Sequence, residues 1–407
     1  VSFRINRIIL SHALTGFICW YGVEKIFEKS IGISTLGISI LAVTYITTSA
    51  LLNVPTGILA DKYGRKYAIL LATIALLLSS IVGGMSHNFW QYVVATILWG
   101  IFYTTQNGAY ESILYDTLKD ESNEKAYARY SGLSSSVFWL AIFISSVLGA
   151  WAGSKFGLRT AYFLTIIPNI INLLLVFSLR EPRRAKAAEN HTSLSMVTQG
   201  FSFLKSSPQA LSTASVYLLI ALVAWTTNEF GQLFFIELGF SIFIIGLLNA
   251  SSGLAQSIGN FFGHHFGKIS ARFAVVTLML LFLVTFALPV KFRYVSTTLF
   301  LVLVLVRNIY YISNNSALHH SLPSNIRATT ISSLGMINDG VLIVGYLGFG
   351  FISQASNVRV GYLAVAMYGL VLFSAIRLYA RSNHFRGHLK SLGAEPILMP
   401  EVDSVPR

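Results

Sequence analysis

Apolar residues run without a charge for about twenty positions at a time, repeatedly, along this chain. Of its 407 residues 54% are hydrophobic and only 11% charged, and the mean hydropathy is +0.65. A soluble chain would need about 25% charged residues to cover its surface, so most of this one must have lipid for its solvent. Lipid offers backbone N–H and C=O groups no partners, and each crossing must satisfy them internally. The alternation of apolar and polar positions over about 10 residues that marks a barrel strand is missing. The expectation is an all-α polytopic membrane protein.

The runs place twelve crossings at 6–26, 34–60, 65–86, 89–117, 127–153, 158–179, 209–236, 241–264, 271–290, 294–320, 327–354 and 358–382. No small-residue cleavage site precedes Glu24, so the first run is read as retained. The longest hydrophilic interruption, beginning Glu181-Pro182-Arg183-Arg184, divides them six and six. The organisation expected is a six-helix bundle over 1–180, a linker over 181–208, a second six-helix bundle over 209–382 and a tail over 383–407. Within the linker, Leu194 to Leu204 is suited to a short helix lying at the membrane interface.

A net charge of +13 would suggest nucleic acid in a soluble protein; here its distribution says otherwise. With both termini on one side, the segments of that side hold 21 of the 29 Lys and Arg, among them Arg4, Arg7, Lys62, Arg180, Arg183, Arg184 and Lys186. Seven lie in the opposite loops and Arg307 lies inside a crossing. This excess puts both termini in the cytoplasm by the positive-inside rule, and no nucleic-acid partner is expected. Cys19, the single cysteine, can form no internal disulfide. The sequon Asn190-His191-Thr192 falls on the cytosolic side of this topology, so glycosylation is not expected there.

The halves echo one another. Trp20-x3-Glu24 and Trp225-x3-Glu229 stand 205 residues apart, and Gly32-Ile33-Ser34 and Gly239-Phe240-Ser241 stand 207 apart. Between the second and third crossings runs Gly57-Ile58-Leu59-Ala60-Asp61-Lys62-Tyr63-Gly64-Arg65-Lys66, a tight basic turn with one carboxylate. Its second copy is degraded: aligning Gly267 with Gly64 puts His264 at the place of Asp61 and Lys268 at that of Arg65.

The spacing Gly-x3-Asp-x2-Gly-Arg-Lys resembles the signature loop of major facilitator superfamily transporters. The resemblance implies that fold: twelve helices in two pseudo-symmetric six-helix bundles, with a substrate site near the bilayer midplane between them. It also implies a latch made of Gly57, Asp61, Gly64, Arg65, Lys66 and Asp116. Asp61 would accept hydrogen bonds at the start of the eleventh helix, near Arg327, where a helix N-terminus favours a carboxylate. Arg65 would pair with Asp116 at the end of the fourth. Such contacts exist only when the cytoplasmic side is closed, so they bias a two-state equilibrium. The plainer alternative is that these charges anchor a loop among lipid headgroups.

Ionisable residues at membrane depth are costly and usually face a cavity or a partner. Arg307 is the clearest: twelve residues at ~1.5 Å each put it ~18 Å down the tenth crossing, at the level of Asn338 and Asp339 in the eleventh. Arg307 either pairs with Asp339 or is the counter-ion of an anionic substrate. By resemblance the first, fourth, seventh and tenth helices line the cavity, and their polar content suits that role. The candidates are Arg307, Asn308, Tyr311, Asn314, Tyr103, Gln106, Asn107, Trp225, Asn228 and, from the eleventh helix, Asn338. A carboxylate in a partly dry cavity can exchange protons near neutral pH, which makes Glu229, Glu111, Asp339 and Glu24 candidates for proton coupling. Glu229, with no basic residue within ten positions, is favoured; Glu24 beside Lys25 reads as an interfacial charge, and His12 as packing.

No phosphate-binding loop and no paired metal ligands are found, and the neighbours His264-His265 and His319-His320 diverge on a helix. No enzyme activity, cofactor or metal is expected. The fifth crossing keeps Gly149-x3-Gly153 but lacks the proline usual in drug–proton antiporters, which weakens an efflux assignment; Trp99, Trp139 and Trp225 would suit apolar or aromatic compounds. The function expected is secondary active, proton-coupled transport of a small organic solute by a monomer in the bacterial cytoplasmic (inner) membrane. The alternatives are an uncoupled facilitator and a non-transporting receptor or scaffold.

Overall fold

A computed structural model describes residues 3–182, 194–263, 270–323 and 326–391. The described residues are built on helices: α1 Phe3–Thr15, α2 Glu24–Ser30, α3 Thr35–Tyr63, α4 Arg65–Met85, α5 Phe89–Gln106, α6 Ala109–Asp120, α7 Tyr127–Phe156 and α8 Arg159–Ser178 in the first half. Helix α9 (Leu194–Ser206) follows in the linker. The second half holds α10 Pro208–Glu237, α11 Ile242–Gly263, α12 Ala271–Ala287, α13 Arg293–Ser321, α14 Arg327–Ala355 and α15 Val358–Ser391. The charges Arg183, Arg184 and Lys186, the sequon at Asn190 and the degraded loop with His264, His265, Gly267 and Lys268 lie outside the described residues.

Nine of the described helices are long and apolar enough to cross a membrane. The other three expected crossings coincide with elements that the sequence did not read as interrupted or short. The first, read as continuous over 6–26, is broken between α1 and α2 by a 3-10 turn at Cys19–Gly22. The fourth, read over 89–117, is broken at Asn107 and Gly108, where the backbone turns left-handed (φ 75°) before α6 begins. The ninth is 17 residues long and stops short of Pro289. At the other end of the chain α15 continues past 382 to Ser391.

The break in the first crossing has local causes. The Ser145 hydroxyl takes the Ile18 N–H at 3.1 Å and that of Thr165 takes the Cys19 N–H at 3.0 Å, so backbone donors freed from the helix are satisfied within the bundle. Helix α7 crosses so closely here that a Cβ on Gly149 would collide with the Cys19 carbonyl. Only a glycine permits that approach.

The buried core shows how the halves are joined. One cluster spans both, gathering Trp20, Phe27 and Tyr162 with Phe230, Phe234, Phe349 and Tyr362. Toward the end of the bundle that carries the Gly57–Lys66 loop, the core divides. The first half has its own cluster around Ile8, Ile69, Ile113 and Val176, and the second has another around Leu204, Ala214, Leu318 and Leu334. Helices α3 and α14 and helices α7 and α11 pack across the halves. Glycines let these pairs approach closely, Ser39 on Gly350 and Ala150 on Gly246, at the end away from the loop. Near the loop, consecutive residues Asn53, Val54 and Pro55 of α3 are exposed on every side. The halves are joined at the distal end and apart at the loop end.

Candidate functional site

A cavity of about 900 Å³ lies between the halves, at the upper end of the range typical of sites for drug-sized ligands. Both helix breaks face it. His12, Ile18, Trp20 and Tyr21 flank the first, and Tyr103, Gln106, Asn107, Gly108 and Glu111 flank the second. Trp225, Asn228, Glu229 and Gln232 of α10 and Ser135, Ser136 and Trp139 of α7 complete much of the wall. Helix α11 adds Asn249, Ser252, Gln256, Ser257 and Asn260. This polar stripe was legible, since its members recur at helical spacing within an apolar run, but attention to the first, fourth, seventh and tenth helices passed over it.

Of the sequence candidates, Tyr103, Gln106, Asn107, Trp225 and Asn228 line the cavity, as do Glu24, Glu111 and Glu229. Arg307, Asn308, Tyr311, Asn314, Asn338 and Asp339 do not. Packing places two of these, Asn308 and Tyr311. Asn308 lies against α11, where a Cβ on Gly259 would come within 2.9 Å of the Asn308 Cβ, and its amide donates to the Val304 carbonyl in its own helix at 2.6 Å. The Tyr311 ring lies 5.8 Å from that of Tyr217.

Arg307 has 0% exposure and is held by the neighbouring helix α10. Its guanidinium donates to the carbonyls of Val223 and Ala224, to Thr227 Oγ1 and to Asn228 Oδ1, all on α10. It therefore staples α13 to α10, with Thr227 and Asn228 as the partners that also line the cavity. Its Nε has no partner. Asp339, half-buried on α14, is not among the groups it binds.

At the distal end the structure corrects the reading of Glu229 as an isolated acid and of Glu24 as an interfacial charge. Lys25 Nζ stands 2.7 Å from Glu229, 3.2 Å from Glu28 and 3.4 Å from Glu24. The partner sought within ten positions of Glu229 comes instead from α2, because the residues beside the two Trp-x3-Glu segments meet, Lys25 with Glu229 and Gln232. Backbone joins the clasp. Gln232 accepts the Lys25 N–H at 3.1 Å and donates to the Tyr21 carbonyl at 2.9 Å, and Gln354 accepts the Thr35 N–H at 3.0 Å.

His12 is sandwiched between Tyr110 and Phe138, with ring centroids 4.5 and 4.6 Å away, and its Nδ1 lies 2.8 Å from Ser134 Oγ. It packs, as expected, yet it also borders the cavity.

The Gly57–Lys66 loop lies at the opposite end. Gly64 takes φ 124° and ψ 153°, open only to glycine, and a Cβ there would stand 2.8 Å from the Glu181 carboxylate. That carboxylate accepts the Arg65 and Lys66 N–H groups at 2.8 Å each, capping α4 from the end of the first half. Lys66 Nζ donates to the Phe177 carbonyl at 2.8 Å. Arg65 pairs with Asp61 at 2.9 Å, and the Asp61 side chain is 58% exposed. Asp116 is on α6. The start of α14, where the resemblance would seat Asp61, has α9 packed along it: a Cβ on Gly200 would meet the Thr329 carbonyl and Ser333. The linker helix is thus docked on the second half.

A profile described as Major Facilitator Superfamily matches residues 8–346. The chain belongs to that superfamily. Among solved structures, the nucleoside transporter NupG superposes with a TM-score of 0.72 at 15% identity, covering 92% of this chain and 97% of that one. A bacterial homologue of the human lysosomal transporter Spinster, inward-facing and occupied, gives 0.69 at 15% identity, covering 97% and 98%. At these identities the likeness is one of fold. In sequence, the tetracycline resistance protein, class H, of Pasteurella multocida is 26% identical over 40% of this chain and 41% of its own length. A probable 4-methylmuconolactone transporter of Cupriavidus pinatubonensis is 23% identical over 35% and 34%. The chain thus spans less than half the length of these two relatives. An uncharacterised MFS-type transporter of Methanocaldococcus jannaschii is 19% identical over 86% of this chain and 90% of its own.

Proposed function

We propose that this protein is a secondary active transporter that moves a small organic solute by alternating access, coupled to protons. The observation that carries the reading is one cavity between two halves, closed at one end by the Lys25–Glu229 clasp and open toward the Gly57–Lys66 loop. Alternating access requires such a cavity to be sealed at one end at a time. The charge distribution supports placing the loop end and both termini in the cytoplasm, which makes this the inward-open state. Arg65 pairs with Asp61 on its own loop, and closure of the cytoplasmic side would bring Asp61 to α14 and Arg65 to Asp116.

Coupling is supported by the distal cluster, where one lysine serves three carboxylates. An ammonium bridging the halves is a contact that proton binding at Glu229 would weaken, so protonation and opening are linked. The test is flux profiling of a panel of organic solutes in proteoliposomes holding the full chain, with an imposed pH gradient. Gradient-driven movement of at least one solute class is expected, lost in Glu229→Gln while counterflow exchange persists. Absence of flux in any class would overturn the transporter reading. Gradient-driven accumulation that survives in Glu229→Gln would move the coupling site elsewhere.

A further inference from the structure

The cavity carries a lopsided set of charges. Its described lining holds four carboxylates, Glu24, Glu28, Glu111 and Glu229, against a single lysine, Lys25. Lys25 is already shared among three of the four. His12 offsets little, since its ring is stacked between two aromatics and bound to Ser134. A second observation is independent of the count. Glu28 has a side-chain exposure of 1%; its Oε1 takes the Lys25 ammonium at 3.2 Å, and its Oε2 is buried with no hydrogen-bond partner. A buried carboxylate oxygen beside open volume, left without a donor, is a place for a donor or a positive charge to come.

We propose that the solute this cavity takes is an organic cation, a positive charge on an aromatic or apolar body, with Glu28 and Glu24 receiving the charge. This rests on the transporter reading of the same cavity. Tyr21, Trp99 and Trp225 border the cavity and offer cation–π contact. The exposed Glu111 near its open end gives an approaching cation a favourable field from the entrance inward. An anion would find only Lys25, and would have to displace its three carboxylates to bind it. No group of three His, Cys, Asp or Glu among the described residues is arranged to hold a metal ion, so an inorganic cation is a poorer fit than an organic one.

Two probes of nearly the same shape and opposite charge test this: tetraphenylphosphonium and tetraphenylborate. Saturable binding is measured on the full-length protein in detergent, with empty micelles subtracted. The phosphonium is expected to bind about tenfold or more tighter than the borate. Glu28→Gln and Glu24→Gln should each weaken the phosphonium by about tenfold, while Glu28→Asp, which keeps the charge, should retain most of the affinity. Equal binding of the two probes, or full phosphonium affinity in a folded Glu28→Gln variant, would overturn the proposal. If that variant fails to fold, Glu24→Gln and the probe comparison on the unaltered protein decide. Because binding needs no transport, proteoliposome flux of a neutral or anionic solute without phosphonium binding would reject the cation assignment and leave the transporter reading standing.

Discussion

Arg307 is a formal positive charge with 0% exposure, held by acceptors on a single neighbouring helix. Its depth was legible, because position along a crossing follows from residue count. Its partners were not: two are backbone carbonyls, which any residue supplies, and equal depth with Asp339 says nothing about which way either side chain turns. Arg307→Ala would leave buried acceptors without their donor and open a hole, at a cost of about 2–4 kcal/mol. Asp339→Asn should change stability little, and the double variant should melt with Arg307→Ala rather than recover. Thermal melts of the two singles and the double decide; recovery in the double would restore the ion pair. Glu229 makes the same point from the other side. Searching its own stretch of sequence for a base found none, while Lys25 stands 2.7 Å away from another helix.

At the scale of elements, the long apolar runs announced their helices, since length and hydropathy suffice for an uninterrupted crossing. The break in the first crossing was hidden because the groups that stabilise it are distant in sequence, whereas that in the fourth is local, at Asn107-Gly108 with Gly108 left-handed. Ser145 and Thr165 satisfy the N–H groups at Ile18 and Cys19, and Gly149 lets α7 approach the Cys19 carbonyl. Broken helices near the middle of a transporter expose backbone where a substrate can use it, and both of these breaks border the cavity. Gly149→Val should therefore displace the broken segment rather than be absorbed by a side-chain shift, because the atoms it meets are backbone. The expected loss is about 1–3 kcal/mol or more, read as a lowered melting temperature together with weakened probe binding. Gly153→Ala, four residues on, meets only ordinary contacts at 3.5 Å or beyond, and should be tolerated. The cap on α4 gives a second element-scale expectation. Glu181→Ala removes the acceptor for two N–H groups and should cost about 0.5–2 kcal/mol, measurable by the same melts.

For the whole molecule, the division of the core sets the mechanics. One apolar cluster joins the halves at the distal end, and separate clusters serve each half at the loop end, so the halves can rock about the joined region without unpacking their own interiors. On the proposed mechanism the signature loop and the Lys25 clasp would act on opposite sides of one equilibrium. Neither Asp61 nor Arg65 lines the cavity. Asp61→Asn or Arg65→Ala should impair turnover while probe binding survives, and equal loss of both in a folded variant would count against a latch. The clasp predicts a shift of the opposite sign. Lys25→Ala removes the ammonium that bridges the halves, favouring the state opened at the distal end. Spin labels at Phe156→Cys and Phe292→Cys, both exposed near that end, would report it, with the buried Cys19 left unlabelled. A differential of about 1.4 kcal/mol corresponds to a tenfold change in the ratio of the two states. The label-to-label distance distribution in liposomes should therefore gain a longer component in Lys25→Ala, and Glu229→Gln should do the same to a lesser degree because Lys25 keeps Glu24 and Glu28. A distribution unchanged in both variants would mean that apolar packing alone, chiefly α3 on α14 and α7 on α11, holds the distal end shut.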